Sequence, residues 1–247
     1  MSSLADGGRL QPLGFGNCRR CPFLQSGSVE LCYGCASKEL ESLPKPKCNV
    51  CDQGLPASGV CANRWCNRDD RHFDYIYAIS MHSGRLKSAI ADYKYNGQKM
   101  WAAIFGRVLV GYLNAHEEWF TGFDLIIPSP TFVGGRRTWD HIDEIVRRAA
   151  IEDGGRWPFE RTGVIVKTAD TETLVKKSLS ERRRLCEEQL RTVLRVPKPP
   201  RVAGRDVLVI DDVFTDGSTL REVARALKIA GAGHVAQVTL ARAPWQA

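Results

Sequence analysis

Two adjacent carboxylates, Asp211 and Asp212, follow a run of aliphatic residues, Val207–Ile210, in this chain of 247 residues. Four aliphatic residues in succession are typical of a strand buried on both faces, which indicates a parallel sheet. A turn of small and polar residues follows at 215–219, and residues 220–230 then carry apolar side chains at helical spacing. Such a turn is an anion site, because free backbone N–H groups and the positive end of the helix dipole point into it. We therefore predict a phosphate site at the turn, beside carboxylates that suit vicinal sugar hydroxyls or a magnesium ion.

Three residues of the turn are candidates for direct contact with an anion. Gly217 allows the backbone to approach an oxyanion closely, and Ser218 and Thr219 offer hydroxyl donors. The alternative is an ordinary strand–helix turn that is capped by a polar side chain. The acid pair, the turn and the helix all agree with the anion site, which favours that interpretation.

Residues 207–220 resemble the signature of the type I phosphoribosyltransferases, which bind 5-phosphoribosyl-1-pyrophosphate (PRPP). The resemblance implies that the acid pair holds the ribose hydroxyls and that the loop wraps the 5′-phosphate. The PRPP-binding residues it implies are Asp211, Asp212, Thr215, Asp216, Gly217, Ser218 and Thr219. Purine-salvage members often carry a catalytic aspartate at the position of Thr215, so the acid at Asp216 does not imply a purine substrate. Its charge is expected to weaken phosphate binding unless it points away or meets a cation.

The N-terminal third of the chain is rich in cysteine. Eight of the nine cysteines form four closely spaced pairs, and these are Cys18 and Cys21, Cys32 and Cys35, Cys48 and Cys51, and Cys61 and Cys66. Without a secretory signal, such pairs suit tetrahedral metal better than disulfides. Two structural four-cysteine zinc sites are therefore predicted. Sequential pairing would join the first four and the last four cysteines, whereas a cross-braced arrangement would join alternate pairs; Pro44 and Pro46 between the halves favour sequential pairing.

Composition and charge limit the remaining possibilities. The formal net charge is +7 and the pI about 9.0, which invites a nucleic-acid partner. Eight zinc-bound thiolates on two zinc ions would reduce that charge to about +3, so basicity alone argues little. The polar first residues lack the features of a signal peptide, and the apolar stretch 102–113 is short and contains Arg107. We expect a cytoplasmic protein with no membrane span.

The composition changes at Phe73, which predicts a zinc-ribbon-like module at 1–72 and a phosphoribosyltransferase-like domain at 73–247. In the second part, predicted strands alternate with predicted helices. The strands are expected at 73–79, 123–128, 163–166, 207–210 and 235–240, and the helices at 86–93, 101–112, 142–149, 180–194 and 220–230. This order predicts an α/β fold, a doubly wound parallel sheet with its ligand at the carboxyl ends of the strands. Residues 168–180 are predicted to form a mobile loop, and Cys186 to be an inert packed thiol.

The order of these parts resembles the ComF-like proteins, which are linked to competence and DNA uptake. The resemblance rests on the cysteines, on the PRPP signature, and on the segments Tyr93–Gly97, Ile127–Pro130 and Glu181–Arg183. The chain departs from that family at Arg137–His141, which keeps an arginine and an aromatic residue of an Arg-Gly-Phe-Asn-Gln-like segment. The glutamine usual in the mobile loop and the asparagine usual after its arginine pair are not evident. These departures bear on turnover more than on PRPP or nucleotide binding.

The resemblance implies transfer of a phosphoribosyl group to a nitrogen acceptor, with release of pyrophosphate and with magnesium accompanying PRPP. Positioning and cationic stabilisation of the departing pyrophosphate would supply the rate. Candidate cations are Arg136 and Arg137 in the first loop and Lys176, Lys177 and Arg182 in a lid. The alternative for each is a solvated charged surface.

Two non-catalytic interpretations remain open. In one, the pocket binds a phosphoribosyl compound and the cysteine module docks single-stranded DNA or a DNA-processing protein. The residues available for docking are Arg19, Arg20, Arg64, Trp65 and Arg68. Within the cysteine module, only the aromatic residues Trp65 and Tyr33 lie near basic ones, so the stacking signal is weak. In the other, PRPP regulates transcription, but no helix-turn-helix segment is recognisable. The acceptor and the oligomeric state stay open.

Overall fold

The computed structural model describes residues 40–135, 138–161, 163–174 and 177–244. Its strands are β1 (Ile76–Met81), β2 (Leu125–Pro128), β3 (Val166–Lys167), β4 (Leu194–Arg195), β5 (Val207–Phe214) and β6 (Val235–Arg242). Four of them form one sheet in the order β1-β6-β5-β2, and every neighbouring pair is parallel. The predicted α/β fold with a parallel sheet is confirmed.

Helices flank this sheet. They are α1 (Gly84–Tyr95), α2 (Trp101–Ala115), α3 (Glu117–Phe120), α4 (His141–Asp153), α5 (Leu179–Leu185), α6 (Arg191–Val193) and α7 (Ser218–Ile229). A π-helical segment, Cys186–Leu190, joins α5 to α6, and short 3₁₀ turns lie at Arg64–Asn67, Asp69–Arg71 and Pro199–Arg201. Among the described helices, none has the length and apolar character needed to cross a bilayer.

The central strand β5 separates two hydrophobic cores. Leu208 and Ile210 pack with α1, α2 and α4 on one face, whereas Val207 and Val209 pack with α7 and the cysteine-bearing segment on the other. Successive side chains of a strand point to opposite faces, so a strand covered on both sides must be apolar at consecutive positions. This arrangement explains the unbroken aliphatic run in the sequence.

The predicted strand at 163–166 is wrong in its position. Only Val166 and Lys167 form a strand, and they pair with Leu194 and Arg195 in a separate antiparallel ribbon, which also ends the predicted helix at 193. The outer edge of β2 is instead occupied by residues 158–160, whose backbone bonds to both polar groups of Ile126. With that edge occupied, Val164 and Ile165 are buried in the second core without joining the sheet.

The segment 41–52 covers the free edge of the sheet. Backbone carbonyls of Val50 and Glu41 accept hydrogen bonds from Ile76 and Met81 of β1, at 2.8 and 3.1 Å. The Asp52 carboxylate accepts a third from the Ala78 N–H at 2.9 Å. An exposed edge strand is a template for unwanted pairing, and this segment occupies its donors.

Candidate functional site

A cavity of about 930 Å³ opens at the carboxyl ends of β2 and β5. Side chains from both strand ends, from α1 and α4 and from the segment 167–174 line it, among them Lys94, Ser129, His141, Asp211, Asp212 and Thr215. The carboxyl ends of a parallel sheet are the usual ligand site of α/β folds. The sequence predicted that the strand ends at the acid pair. In the structure β5 continues to Phe214, because residues 213 and 214 still pair with β6.

Asp212 is buried, with 3% of its surface exposed, and its carboxylate is fully engaged. The Lys94 ammonium lies 2.5 Å from Oδ2, and His141 Nε2 lies 3.1 Å from the same oxygen. The other oxygen accepts the backbone N–H of Val213 at 2.6 Å. Burial acts to raise the pKa of Asp212, but the charge of Lys94 and the contact with His141 outweigh it and hold the pKa well below its usual range.

Asp211 has a different environment on the same strand. Its Oδ1 accepts the backbone N–H of Asp212 at 2.9 Å, and Ser129 also bonds to the carboxyl. Burial, together with the negative charge of Asp212, raises the pKa of Asp211 to about 7. The two neighbouring acids therefore differ: Asp212 is a permanent partner of a buried cation, and Asp211 titrates near neutrality at the cavity wall.

The two partners of Asp212 come from distant parts of the chain. Lys94 lies in the last turn of α1, and His141 is the first residue of α4. Asp140 caps α4, since its Oδ1 accepts the N–H groups of Ile142 and Asp143 at 3.0 Å, and this cap fixes the start of the helix at His141. Burial alone would lower the pKa of Lys94, but the Asp212 carboxylate raises it, so Lys94 stays charged.

Neither Lys94 nor His141 was predicted as a site residue, although Lys94 lies in the segment Tyr93–Gly97, which carries the family resemblance, and His141 ends the segment Arg137–His141, where the chain departs from that family. For Lys94 a signal exists in the sequence. It stands four residues after Ile90, on the same helical face as Leu86 and Ile90, and a cation on an apolar face requires a buried anion. For His141 we find no comparable signal.

The turn 215–219 has two sides. A second cavity, of about 40 Å³, is lined on one side by Asp211, Thr215, Gly217, Thr219 and Gln237, with neighbouring apolar residues. This space exceeds what one water molecule needs. Gly217 has a left-handed φ of 89°, which favours glycine, and a Cβ there would lie 2.9 Å from the Phe214 ring. A side chain at this position would therefore clash with the Phe214 ring.

The other side of the turn holds Asp216 and Ser218. The Asp216 carboxylate is buried, accepts the Ser218 hydroxyl at 2.6 Å and its N–H at 3.2 Å, and lies 3.5 Å from Arg183 Nε. Asp216 therefore points away from the small cavity and meets a cation, the arrangement that the sequence required for a phosphate site. The Ser218 hydroxyl is occupied by Asp216, which leaves the hydroxyls of Thr215 and Thr219 on the cavity side.

The structure distributes the candidate pyrophosphate and lid residues unevenly. Arg182 lines the large cavity and donates to the Thr215 hydroxyl at 3.2 Å and to the Lys177 carbonyl at 3.0 Å. Lys177 instead reaches Glu172, 3.5 Å away. Arg136, Arg137 and Lys176 lie outside the described residues. The predicted loop forms a cavity wall and ends at 178, where Ser178 and Glu181 form a capping box for α5.

Cys48, Cys51, Cys61 and Cys66 form one buried cluster. Their Sγ atoms all lie within 4.8 Å of one another, and those of Cys51 and Cys61 are 3.7 Å apart. Zinc–sulfur bonds of about 2.3 Å in a tetrahedron place sulfur atoms about 3.8 Å apart. The cluster thus fits a zinc ion, and it joins the third and fourth cysteine pairs, as sequential pairing predicts. Cys18, Cys21, Cys32 and Cys35 lie outside the described residues.

The thiols of this cluster differ in their pKa values. A hydrogen bond from Cys66 and the nearby Arg242 lower the pKa of Cys51 to about 5, against the effect of burial. Burial and the neighbouring sulfur atoms raise the pKa of Cys61 to about 12. Four adjacent thiolates repel one another, and a divalent metal supplies the charge that lets all of them ionise.

Among the described residues considered for DNA docking, the aromatic one is not exposed. Trp65 is 1% exposed, and the guanidinium groups of Arg64 and Arg221 lie over its ring at 4.7 and 4.4 Å. A base cannot stack on a ring that is buried in this way. Arg68 pairs with Asp70 at 2.6 Å, and Arg19, Arg20 and Tyr33 lie outside the described residues.

Residues 161–246 match the family described as the phosphoribosyl transferase domain. The match covers about a third of the chain and includes β5, the turn, α7 and β6. A comparison with curated proteins gives no significant match. The fold, the cavity and this match define an α/β protein that contains a phosphoribosyltransferase domain. In this chain the domain is accompanied by a four-cysteine cluster that precedes the sheet.

Proposed function

We propose that the protein binds PRPP, with the 5′-phosphate at the turn 215–219 and the ribose and pyrophosphate in the large cavity. The observation that carries this proposal is that the two cavities share lining residues, among them Asp211, Thr215 and Thr219. A phosphate in the smaller space would therefore be continuous with a sugar in the larger one. The matched domain supports the same ligand.

Asp211 is the acid that we propose to contact the ribose. Both oxygens of Asp212 already have partners, whereas Asp211 lines both cavities. Asp212 would act through Lys94, whose ammonium it holds at the cavity wall. The ammonium carries three donors, so it can bind Asp212 and still present N–H groups to a phosphate oxygen. Magnesium would accompany PRPP and reduce the charge of its pyrophosphate.

The reaction that this site suits is transfer of the phosphoribosyl group to a nitrogen acceptor. The bond between C1 of the ribose and pyrophosphate breaks, a bond between C1 and nitrogen forms, and the acceptor loses a proton. Lys94 and Arg182 line the cavity and are positioned to stabilise the departing pyrophosphate. Tyr95, Phe132 and Trp139 line it too, and their rings suit a flat acceptor.

We propose two structural zinc ions per chain. One would be held by the buried cluster of Cys48, Cys51, Cys61 and Cys66, and the second by the four preceding cysteines. A four-thiolate site has no open coordination position, so the described cluster would organise the chain and take no part in the reaction. The location of the cluster in the second core supports this role.

Calorimetric titration with PRPP and magnesium tests the function. We expect wild type to bind PRPP, and Asp211→Asn to bind it about 10-fold or more weakly, because hydrogen bonds to a charged group contribute about 1.5–3 kcal/mol. Asp69→Asn is the matched control, since Asp69 is exposed and does not line the cavity. Release of pyrophosphate with candidate acceptors then tests turnover. Absence of PRPP binding by wild type at millimolar ligand would refute the proposal.

A further inference from the structure

The side chain of Arg242 is 1% exposed and binds the backbone where the turn 215–219 begins. Its Nη1 donates to the carbonyl oxygens of Thr215 at 2.6 Å and Phe214 at 3.4 Å. Its Nε donates to the carbonyl oxygen of Cys51 at 3.0 Å, and its Nη2 to Gln53 Oε1 at 2.7 Å. A single guanidinium group therefore connects the turn to the backbone of a cysteine in the cluster.

A second side chain makes the same connection from another part of the cluster. Asn63 lies between Cys61 and Cys66 and is fully buried. Its Nδ2 donates to the carbonyl oxygen of Asp216 at 3.0 Å, and its Oδ1 accepts the N–H of Trp65 at 3.2 Å. Two successive carbonyl groups of the turn are thus bound by groups that the cysteine segment positions.

These contacts determine where the N–H groups of the turn point. In a planar trans peptide the C=O and the following N–H point in opposite directions. Because the carbonyls of Thr215 and Asp216 face Arg242 and Asn63, the N–H groups of Asp216 and Gly217 face the opposite way. Anion binding at a turn depends on converging N–H groups, so fixing the carbonyls prearranges the phosphate site.

We propose that Arg242 and Asn63 are positioning residues that couple the cluster Cys48–Cys66 to the phosphate-binding turn, so that metal in the cluster and phosphate at the turn stabilise each other. Metal fixes the backbone of Cys51 and of the segment 61–66, and hence the two groups that hold the turn. Coupling of this kind is reciprocal: a ligand on the turn raises the affinity of the cluster for metal by the same factor by which metal raises the affinity of the turn for that ligand. The inference rests on the proposed binding of PRPP at that turn.

The test measures zinc affinity at equilibrium, which does not depend on catalysis. Full-length, zinc-loaded protein is titrated to equilibrium with a chromogenic zinc chelator, with and without saturating PRPP and magnesium. The zinc that belongs to this cluster is the part that Cys61→Ser lacks. We expect PRPP to lower the zinc dissociation constant of the cluster at least about fivefold, the lower end of typical coupling between two sites. Ribose 5-phosphate at saturation is expected to act in the same direction, because the coupling lies at the phosphate.

Two conservative variants should remove the effect. Asn63→Asp keeps the shape of the side chain and its acceptor for Trp65 but lacks the donor to Asp216. Arg242→Lys keeps the charge but cannot bridge Cys51, Gln53 and the turn at once. In both, we expect PRPP to change the zinc dissociation constant of the cluster less than twofold. Asn63→Asp decides the matter if Arg242→Lys fails to fold, because it leaves the guanidinium in place.

The chain offers a matched control for each variant. Asn67 Nδ2 donates to the Cys61 carbonyl at 3.2 Å, and Arg71 donates to the carbonyls of Cys66 at 2.9 Å and Phe73 at 2.6 Å. These bonds lie within or beside the cluster and do not reach the turn. Asn67→Asp and Arg71→Lys are therefore expected to retain the PRPP effect.

The possible failures are distinguishable. If titration shows that wild type binds PRPP but the zinc dissociation constant of the cluster does not respond to PRPP, the coupling is refuted and the proposed function stands. Equal responses in Asn63→Asp and wild type also refute it. If titration shows no PRPP binding at all, the proposed function itself fails, and this inference fails with it.

Discussion

The ion pair between Lys94 and Asp212 is the clearest test of how this site is held together. At an effective dielectric constant of about 20, unit charges about 2.5 Å apart attract by about 7 kcal/mol. Desolvation offsets much of this gain, but removing one partner of a buried pair still costs about 3–5 kcal/mol. We expect Lys94→Met to fall near the lower value, since the Lys94 side chain is 16% exposed and His141 also contacts Asp212.

The pH dependence follows from the direction of the pKa shift. The lowered pKa of Asp212 means that its ionised form stabilises the fold above the pKa of an unfolded aspartate, about 3.9, and that this contribution is lost as the pH falls through the lower folded value. Without Lys94, burial dominates and the pKa of Asp212 rises. The variant then carries its full penalty at pH 8, and the penalty shrinks as acid protonates Asp212.

Urea unfolding of zinc-loaded protein at pH 5, 6.5 and 8 measures these differences. Lys87→Met is the control, because Lys87 lies exposed on the same helix, and its effect should stay within about 0.5 kcal/mol. In an Asp212→Asn background, Lys94→Met should cost much less than it does alone. Equal losses for the two lysine variants, or the same Lys94 loss in both backgrounds, would show that the pair does not hold the site.

Three further results are expected. Because burial and Asp212 raise the pKa of Asp211 to about 7, PRPP affinity measured by titration should increase from pH 6 to pH 8. Asp211→Asn should remove that increase, and the same pH dependence in this variant as in wild type would exclude Asp211 as the ribose acceptor. Gly217→Val should lower stability by about 1–3 kcal/mol and also lower PRPP affinity, because residue 217 has a left-handed φ and a side chain there clashes with Phe214. Thr219→Val should lower PRPP affinity alone. Loss of stability in Thr219→Val would show that this hydroxyl has a structural role. Elemental analysis should find two zinc ions per wild-type chain and one in Cys61→Ser; one in wild type would contradict the second site.

The sequence by itself determined the local parts of this protein. The run Val207–Ile210 predicted a strand covered on both faces, because burial on both sides demands apolar residues without alternation, and the structure has that strand. The spacing of Cys48, Cys51, Cys61 and Cys66 predicted a metal cluster, because a knuckle is a local chain conformation. Both features depend on residues close together in the chain.

Only the tertiary structure decided which distant groups meet. It placed Lys94 and His141 on one oxygen of Asp212, turned Asp216 toward Arg183, and buried Trp65. Periodicity reports which face of an element is buried, but it does not identify the element that covers that face. A charge on a buried face must therefore have a partner, and the partner becomes known only when the helices have packed against the sheet.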